Sequence, residues 1–446
     1  MRRAVAIFIL FLFLFVQQAG AVQTPAPQVK KPAPSSPTPA AQSSQKKKSE
    51  PTGPGKGRGI DAARIALIAD RMKSFVDQGR AAGIVTLVAR RGEIVSQNAV
   101  GYQDLDKKTP MRANTIFQIA SMTKPVTAVG IMILVEDGML AITDPVQKYL
   151  PNFANILVKV EAREREGGNQ EHDLSEIRKP SRPITIRDLM THTSGMGGGY
   201  TEALIDLFEK RDHTLAEAVD AFPQRKLEFE PGTKWGYSNM GIATLGRIIE
   251  VVSGKSYEKF ISERIFQPLG MKDSHYFPPE IKYDRIATIY QSTGQRGAEG
   301  LKKAEVDLYR AGAKYPSPEA GLYSTAPDLF NFYQMMLNGG AFGGRRILSK
   351  ASVDLMTRVH TGDLKAGFSP GMGFGLGWSV VRNVEGMFRL NSIGTFGHGG
   401  LYRTYGFVDP QKELVGIILL QRLSNDGDMA DEISAFMSLA SAAVEQ

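Results

Sequence analysis

Apolar positions along the chain follow a helical period first, then a strand period, then a helical one again. Residues 61–83, DAARIALIADRMKSFVDQGRAAG, space apolar side chains three and four apart, which predicts an amphipathic helix. GIVTLVARRGEIVSQNAVG comes next, two alternating β-rich runs on either side of RRGE, the pattern of a hairpin. VTAVGIMILVEDGML, residues 126–140, is too long and too evenly apolar for a strand and reads as a buried helix. Helical patterns recur at 239–253, 256–266, 326–338 and 349–359. Strand-like runs then return in GFGLGWSVV, MFRLNSI, YRTYGFVDP and ELVGIILLQR, before an amphipathic helix, DMADEISAFMSLASAAV, near the C-terminus. Strands early, helices in the middle and strands late predict an α+β fold. An antiparallel β-sheet, built from N- and C-terminal segments, would be flanked by helices, with a helical middle region.

The first 58 residues do not belong to this pattern. A basic start, MRR, precedes the apolar stretch Ala4–Val16 and the small-residue sequence Ala19-Gly20-Ala21. That is the layout of a secretory signal peptide over 1–21, cut after Ala21, with an uncleaved membrane anchor as the alternative. Residues 22–58 are rich in Pro, Ser, Ala, Gln and Lys and are expected to form a disordered linker, leaving 59–446 as the folded domain. Charge follows the same boundary. Residues 1–58 hold nine of the 54 Lys and Arg but one of the 46 Asp and Glu, so 45 of each sign remain in the body. A neutral body argues against nucleic acid as a partner. With no cysteine there is no disulfide and no thiol nucleophile. The six histidines, at 172, 192, 213, 275, 360 and 398, show no ligand spacing, so no metal and no cofactor are expected.

Ser121 and Lys124 stand three apart at the mouth of the buried helix, with Pro125 next. Proline is tolerated in a helix's first turn, so it places both residues there. Residues i and i+3 share a face, and the free N–H groups of a helix start favour a developing alkoxide. The spacing by itself is weak evidence, because S-x-x-K also occurs at Ser43, Ser44 and Ser256. A second candidate is Tyr237-Ser238-Asn239, after the turn residues Pro231-Gly232 and just before a helical pattern. A third is His398-Gly399-Gly400, ahead of a strand pattern. HTG at 360–362 competes with it, but follows a helical pattern instead of leading into a strand. The glycine-rich HTSGMGGGY, 192–200, lacks the setting of a phosphate cradle and is assigned a structural role.

Taken in order, S-M-T-K, Y-S-N and H-G-G resemble the three motifs of serine β-lactamases and penicillin-binding proteins. Tyrosine in the second motif resembles the class C β-lactamase-related branch, which also holds carboxylesterases, D-aminopeptidases and DD-carboxypeptidases. The resemblance spans roughly residues 60–445. It implies acyl transfer through an ester on Ser121, with Lys124 and Tyr237 jointly as the base. It further implies that Asn239 holds Lys124 and the substrate, and that the backbone N–H groups of Ser121 and Leu401, beside Gly400, form the oxyanion hole. His398-Gly399 departs from the Lys-Thr that β-lactamases usually carry for the substrate carboxylate, which shifts the expectation toward small esters or D-amino-acid amides. The expected partner is therefore a small ester, amide or β-lactam, acted on by a monomer outside the cytoplasm. Two other readings stay open: a working class C-type β-lactamase, and a non-catalytic wall-binding or regulatory protein of the same fold.

Overall fold

A computed structural model describes residues 59–160, 176–198, 212–293, 300–304, 312–423 and 431–445. The signal peptide, the linker, residues 161–175 of the charged 160–182 stretch and residues 199–200 of the glycine-rich loop lie outside the described residues.

Helix α1 (Ala62–Asp77) is capped by Asp61, whose carboxylate accepts from the Ala63 and Arg64 N–H groups. It buries Ile65, Ile68, Met72 and Phe75, spaced three or four apart as the sequence predicts, and ends before Gly79 (φ +70°). Strands β1 (Gly83–Arg90) and β2 (Glu93–Asp104) form the expected hairpin, and β3 (Thr109–Pro110) edges the sheet. Helix α2 (Lys124–Glu136) is the long apolar run, and every residue from Lys124 to Leu134 is buried. Helix α3 (Asn239–Ser253) starts at its Ser238 cap and stops at Gly254, which takes φ +67°. Helix α4 (Ala326–Leu337) is capped by Thr325. The late strands are β4 (Met372–Phe374), β5 (Ser379–Val381), β6 (Phe396–Gly399), β7 (Tyr405–Asp409) and β8 (Leu414–Leu419), followed by helix α5 (Asp431–Ala442).

The main sheet has eight strands in the order β4-β5-β6-β7-β8-β1-β2-β3, every pairing antiparallel. The first and last thirds of the chain thus meet where β8 pairs with β1, Leu87 opposite Ile417. Strand β1 is buried along its whole length because helices cover both faces. Ile84 and Val88 point to the layer of α1 and α5, among Ile68, Phe75, Phe436 and Ala440. Val85 and Leu87 point to the other face, into the large core that contains α2, α3 and α4.

Three expected elements differ. Residues 387–393 are not a strand. The chain turns as a 3-10 helix over Val384–Met387, Leu390 takes φ +61°, and the Ser392 N–H donates to the Asp409 carboxylate at 2.9 Å. A left-handed residue and an N–H held by a side chain are both incompatible with a ladder. The helix expected at 256–266 is an α-turn, Tyr257–Ile261, that widens into a π-turn over Ser262–Phe266. The 349–359 pattern is helical only over Lys350–Met356.

Candidate active site

The nucleophile candidate sits on a strained turn. A 3-10 turn, Ala120–Thr123, leads into α2, and Ala120 holds φ +48°, a region an alanine rarely adopts. Neighbouring strands clamp that conformation. The Ile119 N–H donates to Leu322 O at 3.0 Å, Thr123 Oγ1 donates to Ala120 O at 2.6 Å, and the Leu322 N–H donates back to Thr123 Oγ1 at 3.2 Å. Ser121 therefore stands half-buried while its neighbours Ala120 and Met122 are buried.

Lys124 is fully buried, and its Nζ donates to Ser121 Oγ at 2.9 Å and to the Glu319 carbonyl at 2.8 Å. Burial lowers its pKa from 10.5 to about 7, a displacement that the nearby Glu319 charge partly opposes. At 1.36 kcal/mol per pH unit, burying this amine costs on the order of 5 kcal/mol at pH 7 and below. That is roughly what two or three fully buried aliphatic side chains contribute. Val126, Val129, Ile131, Met132 and Ile133 of the same helix are all buried. The apolar run thus both creates the low dielectric around Lys124 and offsets its cost.

Tyr237 approaches from the loop before α3. Its hydroxyl hydrogen-bonds the Ser121 side chain, and burial pushes its pKa up. Lys124 Nζ lies 4.8 Å from its ring centroid. Ser238, the next residue, caps α3 by accepting from the Gly241 N–H at 3.0 Å, which fixes where Tyr237 emerges. Beneath Tyr237 lies His192, with ring centroids 4.5 Å apart. His192 Nδ1 accepts the Ser238 N–H at 3.1 Å and its carbonyl accepts the Gly236 N–H at 2.8 Å, so it buttresses the tyrosine loop. Burial and the charge of Lys124 hold its pKa well below the usual histidine range, so it is neutral.

The third motif lies on β6. Gly400 rests against the nucleophile turn. A Cβ there would come within 2.2 Å of both Ile119 O and Thr404 Oγ1. Thr404 Oγ1 ties the two segments together by donating to Ile119 O at 2.9 Å. Leu401 follows on the exposed rim, about half accessible. His398 is buried, with Nδ1 donating to the Gly399 carbonyl at 2.8 Å, which leaves Nε2 with a lone pair. Burial, then the charge of Lys124, drives its pKa down to about 3, so it is neutral across the physiological range. An aromatic wall flanks the opening. Phe368, 64% exposed, lies 5.2 Å from the Tyr237 ring and 5.5 Å from the Trp235 ring, with Phe374 behind.

The structure therefore brings Ser121, Lys124, Tyr237, His398 and Gly400 together. Asn239 opens α3 half-buried, and Lys124 turns to Ser121 and the Glu319 carbonyl instead of to it. His360 lies elsewhere, its Nε2 paired with Leu355 O at 2.9 Å after a short helix. Two residues at the site escaped the sequence reading. His192 stands in HTSGMGGGY, whose glycines point only to a structural loop. Glu319 stands in YPSPEAGLYS, where a single acid gives no signal of being fully buried.

An eight-stranded antiparallel sheet with a serine–lysine–tyrosine cluster at the mouth of a buried helix defines a class of serine hydrolases. The sequence model of the beta-lactamase family matches residues 67–436, and the chain belongs to that family. An uncharacterized protein of Mycobacterium tuberculosis is 32% identical over 394 residues, 83% of this chain and 93% of its own. Esterase EstB of Burkholderia gladioli is 29% identical over 396 residues, covering 82% of this chain and 93% of its own. Among solved structures, EstCE1, described as a hydrolase with promiscuous acyltransferase activity, matches with a TM-score of 0.71. It is 25% identical, and the match covers 85% of this chain and 99% of EstCE1. The protein is accordingly an enzyme, a serine hydrolase of the beta-lactamase family.

Proposed function

We propose that the protein is an exported esterase whose nucleophile is Ser121 and whose preferred substrates are small esters without a carboxylate beside the scissile bond. One observation carries this reading: His398 is neutral and has committed its only N–H to the Gly399 carbonyl. A lone pair at Nε2 repels a carboxylate where a lysine would attract it. Losing a charge-assisted bond of that kind removes roughly 1.5–3 kcal/mol of binding. The aromatic wall of Trp235, Tyr237 and Phe368 suits an apolar acyl or alcohol group. The relatives named as esterase and hydrolase support the same choice.

In this reading neutral Lys124 takes the Ser121 Oγ proton across their 2.9 Å hydrogen bond as Oγ attacks the ester carbon. The carbonyl electron pair moves onto oxygen, where the Ser121 and Leu401 backbone N–H groups receive it. Collapse expels the alcohol, which takes a proton through the Tyr237 hydroxyl from the Lys124 ammonium. Tyr237 thus serves as a relay, because burial disfavours its phenolate. Water then attacks the acyl carbon and gives a proton to Lys124 by the same route; collapse breaks the bond to Ser121 Oγ, which takes that proton back from Lys124 as the acid leaves. Asn239, at the first position of α3, would contact the substrate.

The test is a substrate panel at pH 7.5: p-nitrophenyl acetate and butyrate, a D-alanyl p-nitroanilide, and nitrocefin. The esters should exceed nitrocefin in kcat/KM by at least about tenfold, the smaller of the binding losses above. Nitrocefin turnover above the ester rate overturns the esterase reading.

A further inference from the structure

Glu319 is a fully buried carboxylate that the reaction sequence above does not use. The loop that carries it is built to stay closed. Ser317 holds φ +56°, and the Gly321 N–H donates to Ser317 O at 2.7 Å. Pro318 packs on Gly246 of α3, where a Cβ would come within 2.3 Å of the proline ring. On the other side Thr127, one turn along α2 from Lys124, donates to Pro318 O at 2.6 Å. The loop is thus fastened to both helices that carry the site. The Tyr315 hydroxyl donates to the carboxylate at 3.0 and 3.2 Å.

Other charges cannot substitute for it. The groups facing Lys124 are Ser121 on its own turn, Tyr237 from the loop before α3, His192 from the 192–198 loop and His398 from β6. Both histidines are held neutral by burial and by the Lys124 charge itself. Burial also holds Tyr237 in its neutral form. Behind them Tyr257 bonds Thr127 at 2.6 Å and Tyr276 at 2.7 Å, and burial keeps both phenols neutral as well. Glu258 adds a negative charge only at the level of those two tyrosines. Lys124 Nζ donates to the Glu319 backbone carbonyl at 2.8 Å, so the residue that carries this buried carboxylate touches the amine directly, and its charge opposes the fall of the amine's pKa.

We propose that the Glu319 carboxylate is the counter-charge of Lys124, a positioning residue that sets how readily the catalytic amine holds the proton it takes from Ser121. The inference rests on the Ser121–Lys124 reading and deepens it. As the proton crosses from Oγ to Nζ, a positive charge grows in a dry pocket, and a fixed negative charge stabilises it without reorganisation. The carboxylate also limits how far burial lowers the amine's pKa. Burial in turn raises the pKa of Glu319, and the Lys124 charge and the Tyr315 bond oppose that rise. The two groups consequently titrate as a pair.

The experiment compares pH profiles of kcat/KM for p-nitrophenyl butyrate in the wild type, Glu319→Gln, Glu319→Asp and Tyr315→Phe. In Glu319→Gln the acidic limb should move to lower pH by about one unit, the low end of what a nearby opposite charge does. Its plateau should fall severalfold, because the amine becomes a weaker base. Tyr315→Phe makes the carboxylate easier to protonate and should shift the limb in the same direction by less, which keeps the test alive if Glu319→Gln does not fold. Glu319→Asp should return the limb toward the wild-type position. A folded Glu319→Gln or Tyr315→Phe enzyme with an unmoved limb overturns the proposal. The wild-type Lys124 resonance, followed in protein carrying 13Cε-lysine and assigned by its loss in Lys124→Met, gives a readout independent of turnover. Two coupled titration steps support the pairing, and a single step near the ordinary lysine value overturns it. Ester turnover by Ser121→Ala would instead sink the nucleophile assignment and leave the NMR titration to judge Glu319.

Discussion

The pH dependence of ester hydrolysis tests the site's electrostatics in one measurement. In the proposed mechanism Lys124 must be neutral to accept the Ser121 proton, and its pKa is lowered to about 7 by burial. Catalysis is therefore lost as pH falls through 7 and is nearly complete above 8. For a single base of that pKa, the neutral fraction is about 0.03 at pH 5.5 and about 0.97 at pH 8.5, so kcat/KM should change by about 30-fold with unit slope. His398 adds nothing to the profile, because its pKa is driven down to about 3. A histidine that stays neutral does not replace a lysine toward β-lactams. Nitrocefin turnover should fall with falling pH, in step with the ester, and should not rise through 6.5. The assay is initial-rate kinetics with p-nitrophenyl butyrate and nitrocefin between pH 5.5 and 8.5 at constant ionic strength. His398→Asn should leave the limb within about 0.3 unit, the small residue expected from removing a neutral ring. A flat ester profile down to pH 5.5, or nitrocefin rates that climb as pH drops, would refute the reasoning.

Other outcomes follow from single contacts. Ser121→Ala should abolish turnover and labelling by a fluorophosphonate, while Ser256→Ala, at a site facing Glu258, should change neither. Gly400→Ala should reduce kcat by about 10²–10³, the loss typical of a displaced oxyanion donor, because its Cβ would push β6 off the Ile119 carbonyl. Mass spectrometry of protein from the native host should find a mature N-terminus near Val22. Deletion of residues 22–58 should leave kcat/KM within about twofold, since that composition has nothing with which to build a core.

How much could be read from the residues depended on whether neighbours in sequence or neighbours in space decide each feature. Helix α3 was legible to the residue, because Ser238 before it and Gly254 after it are local signals. The hairpin of β1 and β2 was legible from two alternating runs around Arg91-Gly92. So was the grouping of Ser121, Lys124, Tyr237 and His398, through three motifs taken in order. Local pattern failed at 387–393, where Met387, Phe388, Leu390 and Ile393 among polar residues look like a strand. What cancels the strand is an Asp409 carboxylate from β7. His192 failed for the same reason, since nothing in HTSGMGGGY shows that a tyrosine loop 45 residues later will rest on it. Glu319 was the least legible. An acid between Pro318 and Ala320 reads as a surface turn, and only the closure of two helices around it makes it buried.

The apolar run that first marked α2 as core therefore has a second consequence. A surface helix carrying the same Ser121-Met122-Thr123-Lys124 would leave the amine near its ordinary value of about 10.4, protonated and useless as a base at neutral pH. Burial from Lys124 to Leu134 supplies the low dielectric, and the Ala120 turn keeps Ser121 at the edge of it. Burial with no opposing anion overshoots, as burial together with the Lys124 charge does for His192 and His398, whose pKa values fall far below neutrality. A base that works near pH 7 needs the opposing charge that the 315–321 loop brings in. Hydrophobic patterning and one misplaced-looking acid thus define a single quantity, the proton affinity of Lys124, from opposite directions.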